Sequence, residues 1–190
     1  MGDDGQVLFT DDPTLSAVAR YWAARRRGQP MPDRTDIDPL HLPPSVWPNL
    51  LLTEPVAGSS AARYRLVGTA HVERYTFDFT GRTTAEIMQG SYRDYMERIY
   101  ATTLQEGVPV YSESVFRWDA SGYAFTRRLM LPLRHGGPSA ALVFSAQVWP
   151  SELPVHPRSI TDLSGTGGFR DGFFIALDPD TFLPRDTRDL

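Results

Sequence analysis

Two neighbouring runs of residues that predict antiparallel strands carry the most suggestive polar side chains of the chain. Aligned as a hairpin with a four-residue loop, they place Ser112 and Ser114 on the same face as Arg127. Alternation directs this face toward the side of the sheet that helices should cover. A buried guanidinium needs a carboxylate, several carbonyls or an anionic ligand as its partner, so the pattern predicts a site for a small anionic ligand that carries a carboxylate or a phosphate.

The length of the hairpin loop leaves a second interpretation open. In the four-residue alignment, Glu113 faces Arg128 on the opposite, half-solvated face of the hairpin. A loop of three or five residues, or a bulge, would instead turn Arg127 toward solvent. The predicted anion site therefore depends on the register of one hairpin.

The rest of the expected site comes from the helix before the hairpin and from the apolar residues of the hairpin itself. Residues 92–105 have helical periodicity, and we expect the ligand between this helix and the sheet, where an apolar pocket meets a few convergent polar groups. The expected ligand-binding residues are Tyr95, Ile99, Ser112, Ser114, Phe116, Phe125 and Arg127.

Other reactive groups lack a spacing that specifies a reaction. The chain has no cysteine, which excludes disulfides, thiolate nucleophiles and cysteine metal sites. The glycine-rich segment 165–169 lacks the strand, helix and lysine of a phosphate-binding loop, and no GxSxG nucleophile elbow occurs. We therefore expect that the protein is not an enzyme. We also expect that it binds no metal, since its histidines are far apart: His41, His71, His135 and His156.

Composition indicates an ordinary globular protein of one domain. The chain has 190 residues, of which 41% are hydrophobic and 22% charged. Its net charge of -4 opposes a general affinity for nucleic acid, and no apolar run reaches the roughly 20 residues that span a bilayer. We expect a cytoplasmic protein that binds neither nucleic acid nor a membrane.

An amphipathic helix is predicted near the N-terminus, at residues 13–27. Asp12-Pro13 is typical of a helix start, and Leu15, Val18 and Trp22 recur at helical spacing. We expect these three side chains to pack either on the back of the sheet or against the same helix of a second chain, as a dimer interface. A proline-rich connector follows this helix.

The remaining elements predict an α+β fold. Two strands, at 49–54 and 63–67, precede helices at about 70–77, 84–89 and 92–105, and three strands follow at 110–118, 123–133 and 139–149. We expect one five-stranded antiparallel sheet with its central helices on one face, which buries Leu51, Leu66, Phe125 and Phe144 together. The expected organisation is an N-terminal helix and connector (1–48), a central domain (49–150) and a partly irregular C-terminal extension (151–190).

Two sequence segments resemble the PAS domain family, in particular its small stand-alone bacterial members: RYRLVGT at residues 63–69 and FDFTGRTTAEI at residues 77–87. The resemblance covers about residues 50–149 and implies a PAS-like fold and a sensory or regulatory module. Haem-binding members generally take an axial histidine from the long helix, which has none here, and light-sensing flavin members use a cysteine that is absent. The cofactor is therefore unknown, haem and cysteinyl-flavin are disfavoured, and a flavin held without an adduct stays open.

Three functions remain open from the sequence. The first is a PAS sensor that binds a small ligand and passes the change to a signalling protein partner, without an output domain of its own. The second is an interaction module with a filled cavity that forms a homodimer through its N-terminal helix. The third is an enzyme on a cone-like cavity fold that merely looks like a PAS domain. Fold-level resemblance does not choose among ligands.

Overall fold

The computed structural model describes residues 10–119, 122–150 and 169–185, with the side chains of 116–119, 122–124 and 169–171 outside that description. The helices are α1 (Pro13–Arg25), α2 (Thr69–Tyr75), α3 (Thr84–Ile87) and α4 (Gly90–Glu106). The strands are β1 (Leu50–Pro55), β2 (Ala62–Val67), β3 (Val110–Asp119), β4 (Gly122–Arg134), β5 (Ala140–Val148) and β6 (Phe169–Ala176).

Helix α1 begins where the sequence predicts it. The Asp12 carboxylate accepts hydrogen bonds from the backbone N–H groups of Thr14 and Leu15, and Pro13 occupies the first turn, where no donor is needed. The connector that follows forms three single-turn 3-10 helices, at Arg34–Asp36, Pro39–His41 and Trp47–Asn49. Its prolines remove backbone donors and prevent a longer helix.

The strands form a single antiparallel sheet in the order β2-β1-β5-β4-β3-β6. The α+β fold and the antiparallel sheet confirm the sequence prediction, but the expected number of five strands is wrong. The sixth strand comes from the C-terminal segment, where Phe169–Ala176 pairs along β3. Only its apolar second half stands out in the sequence, because Arg170, Asp171 and Gly172 interrupt the alternation typical of a strand.

The sheet has a hydrophobic core on each face. Helices α2, α3 and α4 cover one face, where they pack on Leu51, Val110 and Met130. Helix α1 covers the other face, where it packs on Leu129 and Phe144. The expectation of one shared core is therefore wrong: Leu51 lies on the α2–α4 side and Phe144 on the α1 side. Two-sided burial explains why β5 is apolar on both of its faces.

The α1 side chains that were candidates for a dimer interface lie inside a single chain. Leu15, Val18 and Trp22 are 0% exposed, and the Trp22 Nε1–H donates to the Pro132 carbonyl of β4 at 2.9 Å. Of the two alternatives, packing on the back of the sheet is the one observed. The prediction that a homodimer interface forms through Leu15, Val18 and Trp22 is wrong, because their apolar surface is already buried against the sheet.

Gly68, at the turn between β2 and α2, is required by a close backbone approach. Its N–H donates to the Leu50 carbonyl at 2.8 Å, and a Cβ at this position would lie 2.3 Å from the Pro48 carbonyl oxygen. Both neighbours are backbone groups of the connector and β1, so neither can rotate away. The glycine of the RYRLVGT segment thus joins the connector to the sheet.

We expect Trp22→Ala to lower the free energy of unfolding by about 3–5 kcal/mol, because it removes a buried indole and leaves the Pro132 carbonyl without its donor. Arg20→Ala, at an exposed position of the same helix, should change it by less than about 0.5 kcal/mol. Urea unfolding followed by circular dichroism measures both. Equal effects would contradict the packing of α1 on the sheet.

Gly68→Ala should destabilise the protein by roughly 1–3 kcal/mol, because the new methyl group overlaps the Pro48 carbonyl. Gly137→Ala is the matched control, since a Cβ there meets no atom within 4 Å. Thermal unfolding compares the two variants. A Gly68→Ala protein that melts with the wild type would show that the connector does not press on the turn.

Candidate functional site: the Arg128 cavity

The β3–β4 hairpin has a different register from the predicted one. Ser114 lies opposite Thr126, Glu113 opposite Arg127 and Ser112 opposite Arg128, with an irregularity between Arg117 and Asp119. The extra residue at this irregularity shifts the pairing by one position, and a shift of one moves every side chain of β4 to the other face relative to β3. The two adjacent arginines therefore exchange the roles that the four-residue loop would give them.

Arg127 lies on the α1 side of the sheet, near the surface. Its side chain is 30% exposed, its Nε–H donates to Glu113 Oε1 at 3.2 Å, and Nη1 lies 3.6 Å from the Asp11 carboxylate. The prediction that Arg127 points under the helices is wrong. Phe125 shares the face of Arg127, with the guanidinium 5.6 Å from its ring centroid, and so cannot form a wall on the helix side. The side chain of Phe116 lies outside the described residues.

Arg128 is the inward arginine, and it is 2% exposed. Its Nε–H donates to Gln147 Oε1 at 2.6 Å, Nη1 donates to Ser114 Oγ at 2.8 Å, and Nη2 donates to the Tyr92 hydroxyl at 2.6 Å. These acceptors come from β5, β3 and α4. All three are uncharged, so in the described part of the chain the guanidinium has hydrogen bonds but no counter-charge.

The acceptors of Arg128 are themselves held by further hydrogen bonds. The Gln147 amide nitrogen donates to the Tyr75 hydroxyl at 3.1 Å, which fixes the side of the amide that faces Arg128. Ser114 Oγ lies 2.8 Å from Thr126 Oγ1, whose hydroxyl can donate onward to the Ser114 carbonyl. The network orients the guanidinium from two neighbouring strands and two helices.

A small cavity lies beside Arg128, between helices α2–α4 and the sheet. About 20 Å³ of it is open to the centre of a water-sized sphere. Such a void has room for about two waters or for a ligand of roughly three to five heavy atoms. Its lining is mostly aromatic and apolar: Leu51, Tyr64, His71, Tyr75, Phe79, Ile87, Met88, Tyr92, Met96, Tyr100, Arg128, Met130 and Gln147.

The four tyrosines of the lining are neutral. Burial raises the pKa of Tyr64, Tyr75, Tyr92 and Tyr100 above the ordinary value, because a phenolate would lose its hydration. The cavity wall therefore offers hydroxyl groups and ring faces, but no tyrosinate to balance the charge of Arg128.

His71 contributes a neutral imidazole to the lining. Burial lowers its pKa to about 4; the hydrogen bond to the Asn49 carbonyl opposes this in part, and the charge of Arg128 adds a smaller lowering effect. Nε2 lies 3.1 Å from that carbonyl oxygen, which can only accept, so the neutral ring donates through Nε2. His71 therefore has a hydrogen-bond partner near the start of α2 and also lines the cavity.

The other predicted site residues lie on the helix side of the sheet but do not line this cavity. The Tyr95 hydroxyl reaches two backbone carbonyls, those of Glu113 and Phe173, at 2.8 Å each. Ile99 and Ser112 are both fully buried. Of the predicted set, the structure places only Ser114 in direct contact with the buried guanidinium.

Sequence reasoning missed Gln147, Tyr75 and Tyr92, although two signals point to the cluster. Adjacent residues of a strand face opposite sides, so an Arg-Arg pair in a central strand places one arginine under the helices whatever the register. Gln147 is an amide in a mostly apolar strand, and a buried amide there needs a partner.

Two further features bear on function. Among the described residues, no three or more histidine, aspartate or glutamate side chains come together as a metal site. In the same part of the chain, no helix has both the length and the apolar composition needed to cross a bilayer.

The chain is an α+β domain with helices on both faces of an antiparallel sheet and a small cavity under α2–α4. The family model for the PAS domain matches residues 10–144, and the chain belongs to the PAS domain family. This confirms the resemblance carried by residues 63–87. PAS domains are sensory signalling modules, which agrees with the expectation of a sensory or regulatory module.

Comparison with curated proteins finds no significant match. Among solved structures, a light-oxygen-voltage domain studied with a flavin analogue has a TM-score of 0.43 and 15% identity, over 57% of this chain and 81% of that one. The light-state structure of the blue-light photoreceptor Aureochrome1 LOV has a TM-score of 0.42 and 14% identity, over 57% of this chain and 85% of that one.

His71 should make the stability depend on pH between about 7 and 5. Its folded-state pKa of about 4 lies below the ordinary 6.5, so the unfolded chain takes up the proton first as the pH falls. The contribution is fully present above pH 6.5 and declines toward pH 4, with an expected loss of about 2 kcal/mol by pH 5. Urea unfolding at several pH values measures it.

His71→Gln should flatten this pH dependence, while His135→Gln, which replaces an exposed histidine, should leave it unchanged. A wild-type stability that is constant from pH 7 to 5 would contradict a neutral, buried His71.

Proposed function

We propose that this PAS domain is a sensor that binds a small molecule in the Arg128 cavity and passes the change to a partner protein or to a second copy of the chain. The observation that carries the proposal is the cavity itself, in which an inward guanidinium and a glutamine lie within an aromatic wall. A concave apolar site with a few convergent polar groups is the usual form of a small-molecule site.

The helices above the cavity are suited to respond to an occupant. His71 and Tyr75 belong to α2, which has seven residues, and Ile87 belongs to α3, which has four. Helices this short depend on tertiary packing for their stability. A ligand that changes the packing under α2 and α3 therefore changes their order at low energetic cost.

A packed path leads from the cavity to the surface. Phe79 lines the cavity and lies 5.7 Å, between ring centroids, from Phe77. Phe77 is 40% exposed, just after the end of α2. We place the output of the sensor at this surface, where a partner protein would contact the residues that the ligand displaces.

A flavin does not fit the cavity. The isoalloxazine ring system has many more heavy atoms than the roughly three to five for which the cavity has room, and the chain has no cysteine for an adduct. Any occupant of the cavity in this form is much smaller than a flavin or a haem.

A second candidate function is an interaction module whose cavity is filled by its own side chains. The small size of the cavity favours it, because the side chains around it, among them four tyrosines and three methionines, leave little free space. In this alternative no ligand changes the protein, and the helix surface alone binds a partner.

A thermal-shift screen of small metabolites tests the sensor against this alternative. A ligand at ten times its Kd adds about 1.4 kcal/mol to the free energy of unfolding, which raises the melting temperature by a few degrees. Met88→Trp places an indole ring at the half-buried edge of the cavity and should abolish the rise in melting temperature. Leu40→Trp adds the same ring at a position that is 71% exposed and should preserve it.

Hydrogen exchange on the wild-type protein then shows whether the ligand protects α2 and α3. A screen without any hit, or a hit that Met88→Trp still binds, would favour the interaction module.

A further inference from the structure

We propose that the ligand of the cavity is a small monocarboxylate, held by the Arg128 guanidinium with its short apolar chain against the aromatic wall. This inference rests on the sensor function proposed above and names its ligand class. It follows from the charge, the unused donors, the shape and the size of the site.

The charge of Arg128 is unbalanced in the described structure. Its acceptors are an amide, a serine hydroxyl and a phenol, and burial keeps the surrounding phenols neutral. A cation removed from water without an anion beside it costs several kcal/mol, which hydrogen bonds to neutral groups offset only in part. An anion in the cavity would supply the missing charge.

Arg128 also has donors left for a ligand. A guanidinium has five N–H groups, and its described hydrogen bonds use one on Nε and one on each terminal nitrogen. One N–H therefore remains on Nη1 and one on Nη2. Each of these N–H groups can donate to a carboxylate oxygen.

The lining selects a monoanion with an apolar end. A single guanidinium balances one negative charge, whereas a phosphate dianion would bring a second charge and further oxygens into a wall made of rings and methionines. The leucine, methionine and phenylalanine side chains of the lining instead suit an alkyl group. The space for roughly three to five heavy atoms corresponds to acetate or propionate.

An NMR titration of the ¹⁵N-labelled protein tests the inference with the matched pair acetate and acetamide, which differ in charge but hardly in size. Sodium gluconate, which is too large for the cavity, keeps the ionic strength constant. Acetate should shift the resonances of the cavity residues, including the Arg128 Nε–H, with an affinity at least about tenfold above that of acetamide. Affinity should rise to propionate and fall for benzoate.

Two single substitutions of adjacent arginines provide the control. Arg128→Gln removes the charge from the cavity and should lower acetate affinity at least about tenfold without changing that of acetamide. Arg127→Gln removes the same charge from the other face of the sheet and should change acetate affinity less than about twofold. If Arg128→Gln does not fold, the acetate and acetamide comparison on the wild type decides alone.

Equal binding of acetate and acetamide, or an unchanged acetate affinity in Arg128→Gln, would overturn the carboxylate while leaving a small-molecule sensor in place. Failure of every carboxylate to shift the cavity resonances would also overturn it. The proposed sensor function fails separately, if no compound, charged or neutral, raises the melting temperature in the thermal-shift screen.

Discussion

The burial of the Arg128 guanidinium in the middle of the sheet is the constraint on which the rest of this half of the molecule depends. A charge in that position must find acceptors, and it finds one on each neighbouring strand and one on the long helix: Ser114, Gln147 and Tyr92. A register slip in β3 or β5, or a rotation of α4, would leave a buried donor unpaired. The arginine thus specifies how three elements are assembled, in addition to any contribution to stability.

The opposite face of the sheet depends on a different kind of contact. There α1 covers β4 and β5 with apolar side chains, and the buried Trp22 indole N–H donates to a backbone carbonyl. Hydrophobic burial without charge tolerates small rearrangements, whereas the Arg128 network does not. We infer that the α1 side holds the sheet in place while the α2–α4 side carries the response.

Local signals in the sequence were sufficient for most elements, and non-local pairing was not predictable. The Asp12-Pro13 start of α1 and the apolar run of β5 each report on their immediate neighbours, and the structure confirms both elements. The hairpin register depends on one extra residue near Asp119. Because side chains alternate between the faces of a strand with a period of two residues, an error of one residue exchanges Arg127 and Arg128. Strand β6 was missed because polar residues interrupt its alternation, and no local signal indicates that it pairs with β3.

Fold stability alone does not account for the burial of Arg128. An apolar residue of similar volume in place of a buried charge is often neutral or stabilising, so an inward arginine in an aromatic core is costly where fold stability alone is concerned. An anion in the cavity, as proposed above, would offset this cost. Such an occupant can shift the helices only as far as its affinity differs between two arrangements of the domain. The Tyr92 hydroxyl accepts from the guanidinium and belongs to α4, so the proposed anion would bind to a group that is hydrogen-bonded to this helix.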